Sequence, residues 1–127
     1  MQGVDVYKRV SVESKVNSSS PYELVVILYE TAITEAEAVK RCIEQKDYEN
    51  KAKHVDKFMR IMSDGLRSAL NMEQGGATAE NLFSLYTFLN SEIIAASVSS
   101  DLAKVDSCIQ ILSELKSAWM EISKSAV

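Results

Sequence analysis

The chain carries 127 residues, 46% hydrophobic and 25% charged, with a formal net charge of −4. That length suits one domain, which buries about two-thirds of its unfolded surface and needs no disulfide or metal to hold it. The negative balance works against general nucleic-acid binding, which needs a basic face to displace counterions from phosphates.

A single proline, Pro21, and four glycines, Gly3, Gly65, Gly75 and Gly76, leave room for long helices. Cys42 and Cys108 have neither CxxC nor Cys/His spacing, so they carry no zinc signature. Both fall at apolar helix positions, as buried thiols of a reducing compartment do. The opening MQGVDVYKRV lacks the apolar core of a signal peptide, and no apolar run approaches the length of a membrane span. A soluble, cytoplasmic protein is expected, without membrane insertion.

Residues 1–19 read as an N-terminal arm with scattered small apolar residues, ending at Ser18-Ser19-Ser20-Pro21. Ser20 suits an N-cap, Pro21 the first helical position, and Glu23 completes a Ser-x-x-Glu capping box. A helix is therefore predicted over 21–46, with Leu24, Leu28, Ala32, Ala36, Val39 and Ile43 as its stripe. Asp47 is the next N-cap, with Glu49 placed against the positive end of the helix dipole. In the second helix, over 48–72, Tyr48, Ala52, Val55, Met59, Met62, Leu66 and Ala69 recur at steps of four and three, a bundle seam.

Gly75-Gly76 predict a turn into a third helix over 77–99, with Ala79, Leu82, Tyr86, Leu89, Ile93 and Ala96 on one face. Ser99-Ser100-Asp101 break it and cap a fourth over 101–123, with Val105, Cys108, Ile109, Leu112, Leu115, Trp119 and Ile122 inward. No run reads as a strand. The expectation is a single all-α domain over 1–127, an antiparallel up-down-up-down four-helix bundle with helices about 35 Å long.

Catalytic chemistry finds no footing. A di-iron bundle needs Glu-x-x-His pairs, and the residue three before the single histidine, His54, is Lys51. His54 lies off the seam and reads as a solvated surface residue. Gly75-Gly76 lack the rest of a phosphate-cradling loop, and nothing favours a Ser/His/Asp arrangement. No cofactor, metal or enzymatic activity is expected.

The functional clue lies in apolar residues that miss the seam. Phe58 and Ile61 flank it on the second helix, on one stripe with Gly65. Phe83 and Ile94 flank one side of the third helix, Leu85 and Phe88 the other, and Val26 and Ile33 face away from the first stripe. Each alone reads as part of a broad face packed against two neighbours. Together they suggest grooves that accept an amphipathic helix through apolar anchors. Met59, Met62 and Met72 would let such a surface adapt, although core filling is the simpler reading of Met59 and Met62. Tyr7, Val10 and Val12 are too few for a core and too apolar for a solvated tail. They suit a removable cover over a groove, or a frayed arm.

Tyr7 to Ser14 (YKRVSVES), Ser19 to Leu24 (SSPYEL), Leu28-Tyr29, AVKRCIEQKD over 38–47, GLRSALNMEQGG over 65–76, Asn81-Leu82 with Leu85-Tyr86, and Ala118-Trp119 share order and spacing with one family. Along almost its entire length the chain resembles the flagellar secretion chaperone FliS. The resemblance implies a bundle that binds the disordered C-terminal segment of flagellin, keeps it from polymerising in the cytoplasm, and delivers it to the export gate protein FlhA. It also implicates the N-terminal segment in covering a pocket. Such binding is coupled to folding of the client, so it is specific without being irreversible.

This chain departs from the family pattern at Thr31, where glycine is frequent, and at Ala96-Ser97, where Ala-Asn is usual. It also reads Leu85-Tyr86-Thr87-Phe88-Leu89 and then Ser91-Glu92 where many members carry Leu-Tyr-Asp-Tyr-Met and an arginine pair. Losing those arginines removes donors for a partner's carboxylates. A dedicated flagellin client, such as one from a second flagellar system, fits these changes. The alternative is a helical adaptor or regulator that binds another flagellar component or an anti-sigma factor. Exposed grooves would also serve a homodimer.

Overall fold

The first helix of the computed structural model, which describes residues 20–125, begins at the cap its sequence supplies. In α1 (Pro21–Gln45) the Glu23 N–H donates to Ser20 Oγ at 3.2 Å, and Pro21 fills the first turn, where no N–H is missed. Lys46 ends it in the left-handed conformation, φ 58°. Asp47 then accepts the Asn50 N–H and opens α2 (Tyr48–Arg60).

Here the winding widens. Residues Ile61–Arg67 are π-helical, and Ser68 N–H reaches back five residues to the Ser63 carbonyl at 3.2 Å. The second helix therefore loses regular winding well before 72. Asn71 caps α3 (Met72–Ser99) by accepting the Gln74 N–H. One turn later Gly76, at φ 55° and ψ −135°, interrupts it in a region that glycine alone enters freely, and regular helix runs on from Ala77. Asp101 accepts the N–H groups of Ala103 and Lys104 and so opens α4 (Leu102–Ser125).

The result is the expected all-α four-helix bundle, with no strand among the described residues. Helix α1 packs most extensively on α4 and then on α2, and α3 closes the ring against α4, α2 and the π-helical segment. The diagonal neighbours α1 and α3 barely meet. Fully buried Ala32, Ala36 and Val39 let the neighbours approach α1 closely. At Gly65 a β-carbon would come within 3.0 Å of Leu28, so the π-helical segment also lies tight against α1. Phe58, Met62, Leu66, Leu89, Ile93, Val105 and Leu112 complete the core.

Two features of the seam differ from expectation. From α2 through the π-helical segment the buried line is Phe58, Met62 and Leu66, while Val55 and Met59 are only half-buried and Tyr48, Ala52 and Ala69 are exposed. Wider winding slows the drift of the stripe around the axis, so residues four apart stay aligned. On α4 the expected inward Ile122 is exposed, because the helix has run past its neighbours. Helix α3 is also long and apolar enough, by length and composition alone, to span a membrane, contrary to expectation. Its buried stripe of Ala79, Tyr86, Leu89, Ile93 and Ala96 makes it a bundle helix.

One polar contact bridges the diagonal. The hydroxyls of Tyr29 and Tyr86 share a hydrogen bond of 2.5 Å in the core, their rings edge to face at 6.4 Å. Burial raises both phenols above the ordinary tyrosine range, and for Tyr86 the bond to Tyr29 raises it further, so both stay neutral. Tyr29→Phe or Tyr86→Phe alone strands a buried hydroxyl and should cost about 1–3 kcal/mol. The double variant should lie closer to wild type than the sum of the two singles, as chemical denaturation will measure.

Candidate functional site

Helix α3 is the most apolar of the four, yet 28% of its apolar stretch is buried. The imbalance sits on its outer face. Phe83 is 41% exposed, Ile94 42% and Val98 84%, and their spacing of eleven and then four residues aligns them on one stripe with Thr87. That stripe borders α2 and the π-helical segment. The Arg67 guanidinium lies 5.1 Å from the Phe83 ring centroid and donates to Thr87 Oγ1 at 3.4 Å. Below it Asn90 donates to Ser63 Oγ at 3.0 Å, while Asn90 Oδ1 is buried without a partner. At the far end Lys51 donates to the Ser97 carbonyl at 2.8 Å.

The opposite rim of α3 faces α4. There Phe88 is 46% exposed and Leu85 is half-buried against the core, beside a 3.7 Å pair between Glu92 and Lys104. Of the residues expected to line grooves, Phe83, Phe88 and Ile94 thus lie on the surface. Ile61 is half-buried and packs on the core. Phe58 is a correction: at 0% exposure it is wholly core, on the inward face of regular α2. Tyr7, Val10 and Val12 lie outside the described residues. Val98 escaped the sequence reading although it follows Ile94 by one turn, and Arg67 and Lys51 escaped because their positions depend on two helices meeting.

A shallow second groove runs between α1 and α4, floored by Ile33 and Ile109 and rimmed by Glu37, Arg41 and the 2.8 Å pair of Lys40 with Asp106. Where α1 begins, Trp119 donates its indole N–H to the Tyr22 carbonyl at 2.9 Å, and the two rings lie 5.4 Å apart. The positions of the family arginines are occupied differently: Ser91 donates back to the Thr87 carbonyl, and Glu92 pairs with Lys104.

His54 is a further correction. It is half-buried rather than solvated, with Nδ1 2.5 Å from Oε2 of buried Glu35, a link between α1 and α2. Burial pushes the Cys108 thiol up to about 12 and raises Cys42, so neither is a thiolate nucleophile. No group of three His, Cys, Asp or Glu suited to a metal occurs among the described residues. The surface offers apolar burial with charges at its edges.

The family model described as "Flagellar protein FliS" matches residues 3–126. The chain is 36% identical over 119 residues to the flagellar secretion chaperone FliS of Vibrio cholerae, covering 94% of this chain and 87% of the relative. It is 32% identical over 124 residues to that of Salmonella typhimurium, covering 98% and 92%. With the flagellar secretion chaperone FliSB of Pseudomonas aeruginosa it shares 30% over 123 residues, covering 97% of each.

The assignment of surface and core can be checked by denaturation. Phe88→Asp and Ile94→Asp should change stability by no more than about 0.5 kcal/mol. Phe58→Ala should cost about 3–5 kcal/mol. A thiol reagent at neutral pH should leave both cysteines untouched in the native protein and modify both on unfolding.

Proposed function

The chain belongs to the FliS family of flagellar secretion chaperones, which are not enzymes, and from that premise we propose that it binds the disordered C-terminal segment of flagellin. The supporting observation is the uncovered outer face of α3, its most apolar helix. From Phe83 to Val98 this stripe is about 22 Å long, the length of a helix of about 15 residues. The client's helical pieces lay their apolar sides along it and along the Phe88 rim, as amphipathic helices do in hydrophobic grooves.

Magnitudes argue for a client that wraps more than one face. Phe83, Phe88 and Ile94 are already partly covered, so finishing the burial of each contributes on the order of 1 kcal/mol. One stripe alone therefore gives weak binding once the client's ordering cost is subtracted. Tyr22 and Trp119 at one end, with exposed Met120, extend the apolar surface onto α1 and α4. Several modest contacts spread over a long segment hold it specifically and still release it. Bound in this way in the cytoplasm, flagellin cannot polymerise, and the complex is handed to the export gate protein FlhA.

Calorimetric titration of the full chain with a peptide of about 40 residues from the flagellin C-terminus should show one site and a large negative heat-capacity change. Phe88→Asp and Ile94→Asp should each weaken that binding at unchanged melting temperature. A soluble peptide giving neither heat nor a complex on gel filtration would reject the flagellin reading in favour of an adaptor for another flagellar component.

A further inference from the structure

The cleft between α2 and the outer stripe of α3 carries a cation at each end, and neither meets a carboxylate among the described residues. Arg67 is held by the Phe83 ring and by a long bond to Thr87 Oγ1. Lys51 is held by the Ser97 carbonyl and lies 4.9 Å from the centroid of the Tyr48 ring. By contrast Lys40, Lys53, Arg60 and Lys104 each pair with a carboxylate. The carbonyl that Lys51 caps belongs to the last turn of α3, which explains its position but leaves a full positive charge. Arg67 spends one of its five N–H donors on a neutral hydroxyl.

Both side chains are half-buried and already ordered by an aromatic ring, so they lose little freedom when a ligand arrives. In a chain of net charge −4, these two cations stand beside an apolar stripe without an ion pair among the described residues. Their contacts on α3, Thr87 and Ser97, are ten residues apart. That separation is about 15 Å along the helix, or nearly three turns.

We infer that this cleft takes an amphipathic helix of the client carrying two acidic side chains roughly 10 residues apart, which pair with Arg67 and Lys51. Phe83, Ile94 and Val98 receive its apolar side. The two cations set the register of the client helix, because sliding it by one turn breaks both ion pairs at once. This inference rests on the reading of α3 as the client surface and adds to it the charge pattern that the client must present.

The test titrates the full chain with the flagellin peptide and with versions whose acidic residues are replaced one at a time by lysine. Arg67→Glu and Lys51→Glu should each weaken the unaltered peptide by about tenfold. One lysine-bearing peptide should restore binding to Arg67→Glu, and a different one, about 10 residues away in sequence, to Lys51→Glu. Wild-type affinity should fall as salt rises, and less steeply in either variant. Melting curves separate charge from folding, and where Lys51→Glu melts early through loss of the α3 cap, Lys51→Gln replaces it for the loss of affinity and salt slope, and the lysine rescue is read on Arg67→Glu. Wild-type binding matched by both variants, or a loss that no lysine peptide restores, would overturn the charge pattern while leaving the flagellin reading intact. A peptide that fails to bind wild type would overturn both.

Discussion

Close approach to α1 sets the geometry of this bundle. Ala32, Ala36 and Val39 are small and fully buried, so α2 and α4 settle against α1, and Gly65 lets the π-helical segment do the same. A helix has a limited circumference, and α1 divides most of its own among these three neighbours. Little remains for α3, which lies across the diagonal and meets α1 chiefly through the Tyr29–Tyr86 hydroxyl bond. The core thus reaches only the inner stripe of α3. Its outer apolar residues stay uncovered as a consequence of packing centred on another helix.

The π-helical segment is the second determinant. Its Met62 and Leu66 continue the buried line that begins at Phe58 of α2. The same segment directs Ser63 and Arg67 toward α3, where they meet Asn90 and Thr87. Short π-helical stretches are rare and frequent at functional sites, since each sacrifices regular hydrogen bonding to re-aim side chains. Here the re-aimed side chain is an arginine at the edge of the apolar cleft. The unpartnered Asn90 Oδ1 beneath it shows that the polar fit at this junction is incomplete.

Three buried ionisable groups, Cys108, Tyr29 and Tyr86, are held neutral by desolvation, and their contacts are structural. The exposed apolar area of α3 is a solubility liability for a monomer. A secretion chaperone has a use for such a surface, provided that each anchor is modest and the client long. The half-exposed state of Phe83, Phe88 and Ile94 fits that requirement better than a deep pocket would.

Much of the fold was legible in local sequence because caps and periodicity are local physics. Ser20, Pro21 and Glu23 mark the start of α1, Asp47 that of α2 and Asp101 that of α4, and the stripe of α3 from Ala79 to Ala96 lies inward as its spacing requires. Those residues are sufficient for a four-helix bundle, and their order along the chain for the family. The candidate site was legible only in part. Phe83, Phe88 and Ile94 could be recognised as apolar residues off the seam, since their helix keeps a regular period. Phe58 could not be placed, because the period changes just after its helix and no pattern of residue types announces a π-helical turn. Arg67, Lys51 and the His54–Glu35 pair lay beyond sequence altogether. Their hydrogen-bond partners are 19 to 46 residues away, and such contacts are decided by which helices meet.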